Sequence, residues 1–478
     1  MVFSSLIFLF GFFPLFFAAY YATPARFRNF IALAGSLGFY VWGAPTFAVV
    51  LLASCIVDYV LSQFIAKTEH KPKQKILLVG SLVLNLGLLL YFKYANFFVG
   101  EFNSLLQSFG AHPAAWTKVV LPIGISFFTF HKISYLVDVY RGTAKPARSL
   151  IEFLLYILIF PQLIAGPIIR YHDVEDQLSK RPLSLTEIGY GLRRFCFGLG
   201  KKVLIANPLG AVADSIFALS PLTLEPSFAW LGILCYTFQL FFDFSGYSDM
   251  AIGLGRMLGF KWMENFNHPY IAQNITDFWR RWHISLSRFM REYVYIPLGG
   301  NRVAVWRAYL NLIIVFALSG IWHGANWTFL VWGMYHGLFI VLDKAGLVRL
   351  TERLPKIFNA IITFVLVMIG WVFFRSDTIG QAVQFIGAML GLAQTPPPGA
   401  IFLADVIGFR TWISFVLAFI FSFLPLFASW EKIEAWVKEH MNHPVLLVCA
   451  YIFAFIISGL AILYLVNAEF NPFIYFRF

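Results

Sequence analysis

Apolar runs about twenty residues long recur down this chain, and that is the length a helix needs to cross the hydrocarbon of a bilayer. They fall at 3–22, 29–43, 46–65, 76–98, 118–140 and 150–169, and again at 228–254, 308–343, 357–374, 408–428 and 445–466. The run 308–343 is long enough for two spans with a break at Gly324. The stretch 188–219 is mixed, with room for one more span and a re-entrant piece. The reading is an all-α polytopic membrane protein of about eleven transmembrane helices plus interfacial or re-entrant helices. A composition of 59% hydrophobic and 13% charged residues agrees, since no water-soluble chain of this size needs so much apolar surface. Residues 1–478 are expected to form a single integral membrane domain.

The net charge of +12 invites a nucleic-acid reading, but the basic residues sit in short loops between apolar runs. Arg26 and Arg28 lie in one loop, Lys67, Lys71, Lys73 and Lys75 in another, and Arg141, Lys145 and Arg148 in a third. The intervening loops, 43–45 and 99–117, are almost free of base. Strict alternation places the basic loops in the cytoplasm and the N-terminus outside. No basic residue precedes the first apolar run, which is therefore expected to be a retained helix and not a cleaved signal. Cys55, Cys196, Cys235 and Cys449 are widely spaced and read as packed free thiols.

Polar groups at membrane depth carry the functional signal, because ionisable side chains there are costly. The stretch GIWHGANW (320–327) puts His323 between long apolar runs, with Trp322, Asn326 and Trp327 beside it. Asp243, Ser245, Tyr247, Ser248 and Asp249 interrupt the run 235–259. In FPQLIAGPIIRYHD (160–173), Pro161 and Pro167 break a helix around Gln162 and Arg170, which lipid tolerates only where protein or a cavity covers the backbone. Residues 264–302 are too charged to span and too aromatic for a free loop. A helix from Asn274 or Thr276, capped by one of them, puts Trp279, His283 and Ser287 on one face, and Arg281, Arg288 and Arg291 on a neighbouring ridge. That segment is either an interfacial helix with its arginines on lipid phosphate, or one that turns His283 into a cavity while the arginines hold an anionic substrate. His336, His131 and His268 read as packed core histidines. No HxxxH or HExxH spacing, serine elbow or phosphate loop occurs, so neither a metal nor a bound cofactor is expected.

DFSGYSDMAIGLGRMLGF, NFNHPYIAQNITDFWRRWHISLSRFMREYVYIPLGGNR and ALSGIWHGANWTFLVWGMYHG together resemble the membrane-bound O-acyltransferase family, in its bacterial polysaccharide-acetylating branch. LPIGISFFTFHKISYLVDVYRG, FPQLIAGPIIR and the terminal FNPFIYFRF fit the same branch, and the most diagnostic core is 120–343. The resemblance implies helices around a central funnel, with His323 and His283 as its catalytic pair. It implies transfer of an acetyl group from cytoplasmic acetyl-CoA across the membrane, for O-acetylation of an exopolysaccharide such as alginate. A periplasmic SGNH-hydrolase-like protein would be the partner. On this reading His323 is the general base, kept neutral by burial, and His283 orients or polarises the thioester carbonyl. Gly320 and Gly324 would leave room for the acyl group or the backbone, and Trp322 and Trp327 would exclude water. Arg281 and Arg288 are candidates for the donor's phosphates, with Trp322, Asn326, Asp243 and Tyr247 as further binding residues. Two other readings stay open: D-alanyl transfer to teichoic acid, and a transporter of polysaccharide or an acyl carrier.

Overall fold

The structure is a computed structural model and describes residues 2–393, 407–427, 429–440, 443–467 and Asn471. The Pro-rich loop expected at 394–400 and the terminal motif at 470–478, Asn471 apart, lie outside the described residues. Among the described residues every element is helical. Eight helices are long and apolar enough to cross a membrane, and two shorter apolar ones, Ile7–Ala22 and Ile379–Met389, join them. The chain divides into two compact units, Met1–Ile188 with Leu254–Met263, and Gly189–Gly253 with Glu264–Phe478.

The first unit contains α1 (Ile7–Ala22), α2 (Arg28–Gly43), α3 (Pro45–Lys67), α4 (Lys71–Ser108) and α5 (Ile125–Arg141). After them come α6 (Leu150–Leu158), α7 (Phe160–Leu163) and α8 (Tyr171–Ser179). The expected span at 150–169 is not one helix. It breaks at Ile159, before Pro161, and runs on as irregular backbone from Ile164 to Arg170. That backbone is wholly buried, and some of its groups are bonded locally: Tyr156 Oη donates to the Ile169 carbonyl at 2.8 Å, and the Gly166 N–H to the Gln162 carbonyl at 3.2 Å. Deeper in the unit, Lys132 meets Asp58 at 2.8 Å, and Asn85 donates to both oxygens of the same carboxylate at 3.0 Å. This buried charge is tolerable because it is both paired and hydrogen-bonded.

The second unit is built on α9 (Leu185–Phe217) and α10 (Pro226–Met257). Leu185–Phe217 is continuous, with a π-helical turn at Lys201–Ala206, so no re-entrant piece forms there. The two helices touch backbone to backbone. A Cβ on Gly198 would lie 2.5 Å from the Gly246 carbonyl oxygen, and one on Gly253 the same distance from the Gly191 carbonyl oxygen. Small residues at such a crossing let helices approach where lipid offers no hydrophobic drive. Flanking the crossing, Lys202 pairs with Asp243 at 2.9 Å, and Asp249 takes Lys201 at 2.6 Å and Arg194 at 2.8 Å.

Beyond these lie α11 (Ile275–Arg281), α12 (Ile284–Met290), α13 (Val305–His323), α14 (Trp327–Leu342), α15 (Lys356–Arg375) and α16 (Ile379–Met389). The run is completed by α17 (Phe409–Leu426), α18 (Trp430–His440) and α19 (Pro444–Asn467). The expected break at Gly324 is real: Gly324 is extended, and Asn326 caps the next helix by accepting from the Thr328 N–H at 3.1 Å. Helices α13 and α14 then fold back on each other at glycine notches. A Cβ on Gly320 would sit 2.3 Å from the Phe329 carbonyl oxygen, and one on Gly333 2.3 Å from that of Phe316.

Candidate active site

His323 is the last residue of α13, where unsatisfied carbonyls make the helix end favourable to a cation. Its Nδ1 lies 2.7 Å from the Ser319 carbonyl oxygen one turn back. A carbonyl only accepts, so Nδ1 carries the hydrogen and Nε2 presents a lone pair. Trp322 and Trp332 stand edge-on to the ring, each with its centroid at 4.8 Å, and Phe374 follows at 5.4 Å. Trp322 therefore walls the ring as expected. Trp327 does not, since it is half-exposed, and Trp332 and Phe374 take its place. Gly320 and Gly324 open no space for an acyl group: Phe329 fills both positions, its carbonyl against Gly320 and its ring against Gly324.

His283 reaches the site differently. The single helix expected across 276–287 is broken there, with α11 ending at Arg281 and α12 starting at Ile284. His283 between them has φ +44°, in the left-handed region. Among the described non-glycine residues only His268 shares that conformation, which is strained for a side chain with a Cβ. Asn274 caps α11 by accepting from the Asp277 N–H at 2.7 Å. Trp279 and Ser287 still meet, Ser287 Oγ donating to the Trp279 carbonyl at 3.0 Å, but the kink turns His283 away from them and toward Trp322.

Asn265 holds this kink in place. Its backbone carbonyl accepts from the Ile284 N–H at 3.0 Å. Its Oδ1 accepts from the Ser285 N–H at 3.1 Å and from Ser285 Oγ at 2.9 Å, and lies 3.1 Å from His283 Nδ1. The Ser285 N–H can only donate, which identifies that atom as the amide oxygen and puts the hydrogen of His283 on Nδ1. Asn265 Nδ2 then donates to Ser248 Oγ on α10 at 3.2 Å. His283 Nε2 is thus a buried lone pair with no hydrogen-bond partner among the described residues. Burial holds the His283 imidazolium well below its ordinary pKa, and the nearby His323 lowers it further. Phe244 covers the ring edge-on at 4.7 Å.

The site is therefore two imidazoles with Trp322 beside both, each with its Nδ1 tied to a protein oxygen, and the Nε2 of His283 has no hydrogen-bond partner among the described residues. As this tautomer, His283 cannot donate to a carbonyl oxygen. Its Nε2 can only accept a hydrogen bond or proton, which suits the orienting role expected of it and not the polarising one.

The other candidates have defined places. Asp243 is buried against Lys202, Tyr247 is buried, and Asn326 donates to the Asp377 carbonyl at 2.7 Å besides its capping role. Arg281 is paired with Asp277 at 2.9 Å, and Arg288 is exposed. His336 is fully buried among Trp279, Trp332 and Phe278, packed as expected, but with neither ring nitrogen hydrogen-bonded among the described residues. A polar chamber borders the site, lined by Arg194, Lys201, Ser245, Asp249, Glu264 and Asn265. Asn265 thus has one side on this chamber and its amide oxygen on His283.

Residues 144–376 match the family model described as MBOAT, membrane-bound O-acyltransferase family. The chain is 48% identical to a probable alginate O-acetylase AlgI of Azotobacter vinelandii, over 81% of this chain and 78% of that one. The chain belongs to the membrane-bound O-acyltransferase family. It is 37% identical to a peptidoglycan O-acetyltransferase of Helicobacter pylori, over 82% of this chain and 80% of that protein. A teichoic acid D-alanyltransferase of Bacillus subtilis is more distant, at 29% identity over 57% of this chain and 74% of that one. As a member of the membrane-bound O-acyltransferase family, this multi-pass membrane protein is an acyltransferase. Both histidines lie inside the matched residues, as do Asn265, Ser285, Trp332 and Phe374, which sequence reasoning did not single out. The signal for Asn265 was present in NFNHPY, but its partner Ser285 lies twenty positions on, and only the fold brings them together.

Proposed function

We propose that this protein is an O-acetyltransferase that takes an acetyl group from cytoplasmic acetyl-CoA and delivers it across the inner membrane for acetylation of an exopolysaccharide of the alginate type. The identity to alginate O-acetylases over four-fifths of the chain supports that acceptor, and the weaker match to the D-alanyltransferase disfavours the teichoic-acid reading. A periplasmic SGNH-hydrolase-like protein is the proposed partner that carries the acetyl group to the sugar. The basic loops in the first unit support a periplasmic N-terminus.

The observation that carries the chemistry is the pair of histidines beside Trp322, each with its Nδ1 tied to a protein oxygen. His323 is the proposed base. Its positive charge, once formed, lies at the C-terminal end of α13 and is hydrogen-bonded to the Ser319 carbonyl. The acceptor hydroxyl gives its proton to His323 Nε2 as its oxygen attacks the thioester carbonyl carbon. The carbon–sulfur bond then breaks, and the same proton passes to the departing sulfur, leaving free CoA. His283 Nε2 accepts a hydrogen bond that holds one substrate in line. The walls of Trp322, Trp332 and Phe374 keep water from competing for the thioester.

The test is release of CoA from acetyl-CoA by purified protein in nanodiscs, with acceptor and periplasmic partner supplied. His323→Ala is expected to lose about 100-fold or more in kcat, the range of a general base. Full turnover in that variant at equal protein would remove His323 as the base. A charged carrier protein that outcompetes acetyl-CoA would restore the D-alanyl reading.

A further inference from the structure

We infer that the second unit holds an anionic phospholipid beside the helix that carries His323, with the lipid phosphate on Arg280 and Arg291. A slot of about 220 Å³ opens between α11, α12, α13 and α14. Its walls are apolar, built from Trp279, Leu286, Met290, Leu312, Val315 and Phe316. Ser287 and Ser319 also line it, and both are engaged: Ser287 Oγ donates to the Trp279 carbonyl, and the Ser319 carbonyl accepts from His323.

Arg280 and Arg291 stand at this slot, both exposed. Neither guanidinium has an ion-pair or hydrogen-bond partner among the described residues. Arg281, next in sequence to Arg280, contrasts with them because Asp277 neutralises it. Two free forks of donors beside an apolar slot match a phosphate ester with a hydrocarbon chain. The walls offer almost nothing to the amides of a thioester's pantetheine arm or to sugar hydroxyls, and this favours a lipid over a substrate. The five arginines between α10 and α13 (Arg280, Arg281, Arg288, Arg291 and Arg302) fit the cytoplasmic leaflet, whose anionic lipids attract such residues. A chain lying on Val315 and Phe316 would brace α13 within two turns of His323.

The experiment uses full-length protein in nanodiscs of phosphatidylcholine alone or with phosphatidylglycerol. A photoactivatable phosphatidylglycerol serves as the probe, and cross-linked residues are mapped by mass spectrometry. Adducts are expected on Trp279–Met290 and Leu312–Phe316. Phosphatidylglycerol is expected to raise the unfolding temperature of wild type. In the Arg280→Gln/Arg291→Gln pair, labelling is expected to fall about tenfold or more and the thermal shift to vanish, as for loss of charged hydrogen bonds. Arg280→Lys/Arg291→Lys keeps the charge without the fork and is expected to fall between. Equal labelling of wild type and the Gln pair would overturn the inference. So would displacement of the probe by acetyl-CoA, which would assign the slot to the donor. Neither readout depends on turnover, so failure here is separate from failure of the acetyltransferase reading.

Discussion

At the residue scale the site depends on one amide. Asn265 sets the tautomer of His283, accepts from Ser285 twice, and bonds the backbone of Ile284. Asn265→Ala is expected to lower kcat by up to about 100-fold through misplacement of His283, with the KM for acetyl-CoA nearly unchanged. Asn265→Asp tests positioning against mere folding. A carboxylate facing Nδ1–H favours the imidazolium, so the acid limb of the pH–rate profile is expected to move to higher pH. An unmoved profile with full activity would remove Asn265 from the site. The depressed basicity of His283 also has a sign for stability. The fold keeps this ring neutral, while the unfolded chain binds a proton near pH 6.5. Below that value the unfolded state holds more protons, so stability is full above about pH 6.5 and falls with acid. Thermal unfolding between pH 5 and 7.5 should show a shallower acid slope in His283→Gln than in wild type. No sequence rule marks His283 as the point where a helix breaks, because neither proline nor glycine stands there. The kink exists because Asn265 over-determines it.

At the element scale, the approach of α13 to α14 decides whether His323 and Trp332 meet. Gly320 and Gly333 are the positions where backbone lies against backbone. Gly320→Val is expected to cost about 1–3 kcal/mol by forcing these helices apart, and to lower turnover with it. Gly87→Ala on α4 meets nothing within 4 Å and serves as the control, expected to leave both thermal stability and turnover at wild-type level. These helices were legible as apolar runs, and the break at Gly324 as glycine in a polar interruption. Gly320 and Gly324 were expected to leave room for the acyl group or the backbone; at Gly320 it is the backbone, the Phe329 carbonyl, that takes the room, and at Gly324 it is the Phe329 ring. A missing side chain in a packed helix is filled by the neighbouring helix unless something holds that helix away.

At the scale of the whole molecule, the basic loops give a topology that labelling can check. In a cysteine-free background, Lys71→Cys is expected to react with an impermeant maleimide only after the cells are opened. Ala111→Cys, beyond the other end of α4, is expected to react in intact cells. The reverse pattern would invert the topology and place the N-terminus inside. The span 150–169 also belongs to this scale. Its length and hydropathy promised a helix, but its buried prolines yield an irregular strip, one of whose carbonyls, that of Ile169, is met by Tyr156.

The sequence by itself determined what lies along the chain: where lipid-length helices run, which loops carry the positive charge, and that His323 and His283 are ionisable groups set among apolar residues. These follow from composition over short windows, where hydropathy and charge act locally. The tertiary structure alone decided which nitrogen of each histidine is tied to a protein oxygen, that Asn265 and Ser285 hold His283, that Trp332 and not Trp327 covers His323, and that Arg281 is neutralised while Arg280 and Arg291 are not. Hydrogen bonds and ring contacts are short-ranged in space but not in sequence. Their partners here stand from four to twenty positions away, and the longer-range ones meet only in the packed chain.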